Sequence, residues 1–177
     1  MTTVRGENVV LEDLRDADSD RLFEWINDRE LVVRSAQFQP VSRADHEAWF
    51  ERIGRAEDVE IFGIRRATDD ELIGSCQLRD IDRRHGSADL QIRIGAEADR
   101  GLGLGTEAVG LLLSHAFGEM GLHRVGLQVF PSNEGAIRAY EKAGFRREGV
   151  LREAALIDGE RTDIIVMGAL RGESGGG

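Results

Sequence analysis

Arg100-Gly101-Leu102-Gly103-Leu104-Gly105-Thr106 is the stretch on which the reading of the chain turns. It separates an alternating, strand-like run, Asp89-Leu90-Gln91-Ile92-Arg93-Ile94, from a helical run, Glu107 to Met120. Three glycines at alternate positions leave the backbone almost bare, so its N–H groups can converge on one point and a bulky ligand can approach closely. The helix behind adds N–H groups without intrahelical partners and the positive end of its dipole. Together these make an anion site suited to a phosphate or pyrophosphate. A glycine-rich strand-to-helix connection that binds nothing is the competing reading of the same residues.

Two nucleotide signatures fit the loop poorly. Gly103-Leu104-Gly105-Thr106-Glu107-Ala108 matches the dinucleotide fingerprint with alanine in its last position. That fingerprint closes the first strand of a βαβ unit and is followed, about 20 residues on, by a carboxylate. Here the loop lies far into the chain, and the next strand, Arg124 to Phe130, ends in Phe130-Pro131. No Gly-Lys-Ser/Thr follows, which excludes the Walker-type loop.

The composition bounds the rest. At 177 residues the chain reads as one domain, 1–171, with a disordered glycine-rich tail, 172–177. Such a length buries roughly 70% of the unfolded surface. Lys+Arg 23 against Asp+Glu 33 gives a net charge of −10, which argues against a nucleic-acid partner and biases encounter toward cationic amines. One cysteine, Cys76, excludes an internal disulfide and fits a reducing compartment. It sits in a strand-like segment and reads as a packed core thiol. No basic-then-apolar leader and no membrane-length apolar run is present, so the expectation is a cytoplasmic protein without a membrane partner.

Along the chain, Glu7 to Leu14 reads as a first strand, and Asp16-Ala17-Asp18 offers N-caps to a helix with Leu22, Phe23, Trp25 and Ile26 on one face. Asn27-Asp28 ends that helix, and Leu31 to Val41 reads as a loop. Ser42 caps the next helix, with Ala44, Ala48, Trp49 and Ile53 as its expected buried face. His46-Glu47 begins like a zinc-protease motif, but Phe50 occupies the second ligand position, so no metal pair forms. His46 is then a plain helix residue or part of a pocket wall. Glu60 to Arg66, Leu72 to Ile81 and Ala88 to Ile94 read as strands. Asn133 opens a helix that Gly144 closes, and Phe145 to Arg152 and Thr162 to Leu170 are final strands joined at Asp158-Gly159.

The second helix carries Asn133-Glu134-Gly135-Ala136-Ile137-Arg138-Ala139-Tyr140-Glu141-Lys142-Ala143-Gly144-Phe145. With Arg-x-x-Gly-x-Gly at 100–105 it resembles, in order and spacing, the two conserved blocks of the GNAT superfamily of N-acetyltransferases. The resemblance runs from about residue 7 to residue 170. It is nearest the branch of ribosomal-protein N-terminal, spermidine and nucleotide-amino-sugar N-acetyltransferases. It implies an α/β fold, an acyl-CoA N-acyltransferase-like three-layer sandwich around one mixed β-sheet in the order β-α-α-β-β-β-α-β-α-β-β. Acetyl-CoA would be the co-substrate, its pyrophosphate on Arg100, Gly101, Leu102, Gly103, Leu104, Gly105 and Thr106. The family is often dimeric, which leaves a homodimer open.

The resemblance also implies roles. Ile92, Arg93 and Ile94 would give backbone contacts to the pantetheine arm and an N–H to the thioester carbonyl; an interior strand is the plain reading of the same three. Asn133 would bond the arm, Arg138 would complete the cofactor set, and Tyr140 would meet the sulfur as general acid. A half-buried structural tyrosine is the alternative for Tyr140. Asp89 stands where the family commonly carries a glutamate, and is either the base or a surface carboxylate paired to an arginine. Glu12, Glu30, Asp80 and His85 are weaker candidates; His115 and His123 read as structural. No nucleophile triad can be assembled, so transfer would be direct, to a small-molecule amine such as an amino sugar, a polyamine or an amine antibiotic. Its contacts are expected from Glu24 to Gln39 and the last hairpin. A protein N-terminal acetyltransferase, a non-catalytic acyl-CoA-binding module and a nucleotide-binding protein are the alternatives.

Overall fold

The computed structural model describes residues 1–173 and is organised around one eight-stranded sheet. β1 (Thr3–Arg5) and β2 (Val9–Asp13) form a hairpin ahead of α1 (Ser19–Ile26), α2 (Arg29–Val32) and α3 (Arg43–Ile53). β3 (Glu60–Arg66), β4 (Leu72–Asp82) and β5 (Ser87–Ile94) follow, then α4 (Leu104–Phe117), β6 (Arg124–Val129), α5 (Glu134–Ala143), β7 (Arg146–Ile157) and β8 (Glu160–Leu170). The strand order is β1-β2-β3-β4-β5-β6-β8-β7. Among the described residues only β5 and β6 run parallel, which makes the sheet mixed.

Alternation sorts the sheet's two faces, apart from a register shift between Ile64 and Arg65 that leaves Ile73 in the main core and Leu72 on the other face. Phe62 and Ile64 on β3, Cys76 and Leu78 on β4, and Ala88 and Leu90 on β5 join Ala108, Val109, Leu112 and Leu113 of α4 in the main core. Each fully buried side chain of this size contributes roughly 1.5–3 kcal/mol. The opposite residues, Ser75, Gln77, Gln91 and Arg93, look toward α1 and α3, where Leu22, Trp25, Leu31 and Leu72 form a smaller cluster. Cys76 is 1% exposed, and burial pushes its thiol pKa up, so it is a core thiol as expected.

Several expected boundaries shift, each for a local reason. The first strand shortens to Val9–Asp13 and gains a three-residue partner, β1, too short to carry a pattern. α2 occupies Arg29–Val32, at the edge of the expected loop, with the Asp28 carboxylate accepting from the Leu31 N–H. The glycine-loop helix begins at Leu104 and ends at Phe117 rather than running from Glu107 to Met120. Ala44 and Ala48 are exposed; the inward face of α3 is His46, Trp49, Phe50 and Ile53. Of the tail expected to be disordered, Gly172 and Glu173 lie in a turn in which the Glu173 N–H donates to the Leu170 carbonyl, and 174–177 lie outside the described residues.

Asp18 stands at the N-cap of α1, yet its side chain makes no cap bond. It takes the Arg65 guanidinium at 2.6 and 2.7 Å instead, and the Arg15 N–H at 2.8 Å. This buried pair ties the entry of α1 to β3.

Candidate functional site

β5 and β6 pair only from Ser87↔Arg124 to Asp89↔Gly126. Beyond that point β5 stays with β4 as far as Gly74↔Ile94, and β6 stays with β8 as far as Val129↔Ile165. The sheet therefore splits. The backbone edge of residues 90–94 loses its parallel partner and presents N–H and C=O groups, the condition under which an extended amide-bearing ligand can take the place of a strand. A cavity of about 770 Å³ occupies the split, bordered by Leu90 to Ile94, by Leu127 to Phe130 and by the starts of α4 and α5.

The glycine loop forms one end of this cavity. Gly101 and Gly103 have φ of 74° and 79°, the left-handed region that favours glycine. Gly103 is the N-cap of α4, and no side chain caps that helix. By contrast, α3 and α5 receive caps from Ser42 and Asn133. The first amides of α4 are thus left for an anion.

Three anchors hold the loop. Arg100 donates through Nη2 to the Gly95 carbonyl at 2.9 Å, so its guanidinium braces the turn after β5. Asp99 accepts from Arg66 at 2.6 Å. Glu107 accepts from the Asn8 N–H, the Asn8 side chain and the Val9 N–H at 2.8, 2.9 and 3.2 Å. Desolvation pushes the Glu107 pKa up, but those bonds outweigh it and hold the carboxyl below its ordinary range. Leu102 is 67% exposed, and Leu104 is packed into the core. Neither side chain borders the cavity, so both positions offer only backbone.

Tyr140 lines the cavity from α5 with 8% of its surface exposed. Its ring packs edge-on against Phe145 at 5.8 Å, and its hydroxyl has no hydrogen bond among the described residues. Burial pushes its pKa up to about 12. Asn133 also borders the cavity, its Oδ1 capping α5 through the Ala136 N–H and its Nδ2 donating to the Arg34 carbonyl. Arg138 lies at the rim, largely exposed, 4.0 Å from Glu134.

Asp89 is the last residue of β5 paired to β6, at the apex of the split. A Cβ added to Gly126 would stand 2.9 Å from the Asp89 Oδ1, so only glycine there lets the carboxylate lie across β6. Arg124 is close by, and two bonds to Glu148, at 2.6 and 2.8 Å, followed by the charges of Glu148 and Asp89, hold its pKa up. The Asp89 carboxylate makes no hydrogen bond among the described residues. The weaker candidates Glu12, Glu30, Asp80 and His85 border neither this cavity nor the next. His85 bonds Asp82 on an exposed turn, and His115 bonds Glu60 inside the core.

A second cavity, about 490 Å³, lies on the other face of the sheet beneath α1 and α3. Leu22, Trp25, Val41, Trp49 and Ile61 form its apolar wall. His46 joins them, its ring 5.3 Å from Phe23 and 5.6 Å from Trp49, with Nε2 at 2.8 Å from the Ser19 carbonyl. The two cavities share Gln37, Gln91, Ile92 and Arg93. Gln37 falls within the Glu24 to Gln39 stretch expected to contact the acceptor, without being singled out there, and Gln91 carries no role in the sequence reading. Gln91 could have been found from its alternation with Asp89 and Arg93, whereas Gln37 sits in an irregular stretch with no pattern to read. The last hairpin supplies Ala155, Leu156 and Ile157 to the first cavity, and its tip is tied to the 29–37 stretch by the Arg29–Asp158 ion pair and by the Asp158 N–H donating to Gln37.

Comparison with known proteins agrees with this geometry. A family model described as Acetyltransferase (GNAT) domain matches residues 8–146. The chain is 39% identical over 120 residues to the probable N-acetyltransferase YjcK of Bacillus subtilis, an alignment spanning 68% of this chain and 66% of that protein. It is 26% identical over 173 residues, 95% of this chain and 94% of the relative, to the putative ribosomal N-acetyltransferase YdaF of the same organism. Among solved structures, the spermidine N-acetyltransferase of Vibrio cholerae in complex with CoA and spermine superposes with a TM-score of 0.88 at 26% identity, over 96% of this chain and 99% of that one.

Proposed function

We propose, from the premise that this chain belongs to the acetyltransferase (GNAT) domain family, that it transfers an acetyl group directly to the primary amine of a small molecule. It is an N-acetyltransferase, and acetyl-CoA is its co-substrate. The residues present fit that co-substrate: uncapped amides at the start of α4 for a pyrophosphate, and an unpartnered strand edge at 90–94 for an amide-bearing arm. The observation that carries the acceptor reading is the junction of the two cavities at Gln91, Ile92 and Arg93. An amine seated beneath α1 and α3 meets a thioester in the split only there. A volume of about 490 Å³ also lies within the roughly 300–1,000 Å³ of small-molecule sites.

The chain's own groups divide the work. A backbone N–H on β5 polarises the thioester carbonyl. Asp89 takes the ammonium proton, directly or through water. The amine nitrogen then bonds the carbonyl carbon, the C–S bond breaks with its electron pair leaving on sulfur, and the nitrogen's surplus proton passes to the thiolate or to water. Tyr140 donates its O–H to that sulfur. With the phenol at about 12 and a free thiol near 8.5, complete proton transfer to the thiolate is uphill by roughly 5 kcal/mol, although burial raises the thiol too and narrows the gap. Hydrogen bonding to the departing thiolate is therefore the role assigned to Tyr140. Cys76 is too deeply packed to carry the acyl group.

Tyr140→Phe is expected to lower kcat about 10- to 100-fold, the cost of one bond to a charged group, with CoA affinity nearly unchanged. Weakened affinity at normal turnover contradicts the role. The pH profile adds a second check. The acting form of Tyr140 is the protonated one, and its raised pKa moves any loss upward, so the rate should climb as the acceptor deprotonates and show no falling limb below about pH 10. A falling limb near about pH 8 to 9 places another acid in the site.

An acceptor screen by mass shift tests the reading itself, setting amino sugars, polyamines and amine antibiotics beside protein N-terminal peptides. The bound spermine of the Vibrio enzyme is the reason polyamines belong in the screen. Acetylation of peptides alone would transfer the assignment to the protein N-terminal class, toward which the likeness to YdaF points.

A further inference from the structure

Arg93 lies on the α1–α3 face of β5 and borders both cavities where they meet. Its guanidinium makes no hydrogen bond and no ion pair among the described residues. Burial lowers its pKa, the mark of a cation drawn out of water without a carboxylate to compensate it. Asp89, on the same face of the same strand, is four residues away, roughly 13 Å along the strand, too far to neutralise it. Among the described residues, the second cavity is bordered by no aspartate or glutamate; its only ionisable groups with a positive form are Arg93 and His46. The rest of its wall is apolar and aromatic side chains with four neutral glutamines, Gln37, Gln39, Gln77 and Gln91, and Ser75.

We infer that the acceptor is a monoamine carrying a carboxylate and an apolar body, in the manner of an aromatic amino acid, and that Arg93 binds its carboxylate. The inference rests on the N-acetyltransferase reading of the site and narrows it. A polyamine would bring several positive charges against an unpaired guanidinium, with no carboxylate on the wall to receive them. The overall charge of −10 draws cations toward the protein, but it acts on encounter and not inside this cavity. A carboxylate instead supplies the planar, two-oxygen partner that a guanidinium matches.

Matched acceptors test this. Phenylalanine, phenylalaninamide and spermidine are compared by thiol release from acetyl-CoA. Phenylalanine is expected to exceed both others in kcat/KM by about tenfold or more, the scale of a charge-assisted bond, even though the amide has the more readily freed amine. Arg93→Gln should erase the acid-over-amide ratio, and Arg93→Lys should keep part of it. Binding gives a readout without turnover. The chain's two tryptophans, Trp25 and Trp49, both border the cavity. Their fluorescence should report N-acetylphenylalanine at lower concentration than its amide in the parent protein, and at equal concentration in Arg93→Gln. Preference for spermidine or for the amide overturns the inference and leaves the enzyme class standing. So does a CoA defect in Arg93→Gln with the acid-over-amide ratio intact, which gives the guanidinium to the donor. Absence of thiol release with every amine of the wider screen removes the enzyme reading and the inference together.

Discussion

Gly103→Val is expected to raise the Kd for CoA on the order of a hundredfold or more, the loss of about two charge-assisted bonds, in a protein that still folds. Gly103 has φ 79° and ψ 0° as the N-cap of α4. A β-branched residue in that region is strained, so part of the effect is on the loop's shape. The rest is steric. A Cβ built on Gly103 meets no protein atom within 4 Å, so the added side chain costs the free protein little by contact. It would stand instead in the space an incoming phosphate needs beside the uncapped amides of α4. Titration calorimetry with CoA measures the affinity, and circular dichroism with thermal unfolding measures the fold. Gly103→Asn separates the two terms, because asparagine tolerates the left-handed region but still adds bulk. Strain as the main cause predicts near-normal binding by the asparagine variant; occlusion predicts that both variants fail. A folded valine variant that binds CoA like the parent places the pyrophosphate elsewhere.

The donor side of the proposed site is legible in the sequence because its signals are local. An amide-presenting loop needs glycines at fixed offsets, and a strand edge needs alternation; both lie between residues 89 and 106. The split that makes them a cleft is not local. It arises because β6 leaves β5 after Asp89↔Gly126 to follow β8, a pairing between residues some 40 positions apart. The acceptor side is harder to read for a related reason. On α3 the inward face is 46, 49, 50 and 53, a regular helical spacing, but its first member is a histidine. A histidine reads as polar, so the sequence pattern finds Trp49 and Ile53 but fills the rest of the face with Ala44 and Ala48. The histidine is buried because its Nε2 reaches the Ser19 carbonyl on α1, 27 residues earlier. The position of Arg93 between the two cavities is not legible for the same reason. It lies on the strand edge left unpaired by β6 and borders both cavities, and only the folded sheet shows that the two meet there.

Asp18→Ala is expected to destabilise the protein by roughly 3–5 kcal/mol, the cost of stranding one member of a buried ion pair. Asp18 and Arg65 each have only 6% of their side-chain surface exposed. Arg65 already lacks a hydrogen bond at Nε, and its next carboxylate, Glu12, stands 3.7 Å away and is bound to Arg15. Removing Asp18 therefore leaves a guanidinium that water cannot easily reach, together with the Arg15 N–H that Asp18 satisfies. For a domain of this size the drop in Tm should be roughly 6–20 °C. Asp18→Leu combined with Arg65→Met should recover most of the loss, because no charge is then left without a partner. A single variant within about 1 kcal/mol of the parent would mean that the guanidinium finds another partner and that the pair carries little. The consequence reaches the site through α1. Asp18 sets the entry of that helix, and Leu22 and Trp25, one and two turns on, belong to the wall of the second cavity, where we propose the acceptor sits. Acceptor KM should therefore rise in Asp18→Ala well below its Tm, while CoA affinity, which depends on α4 and the edge of β5, stays close to that of the parent.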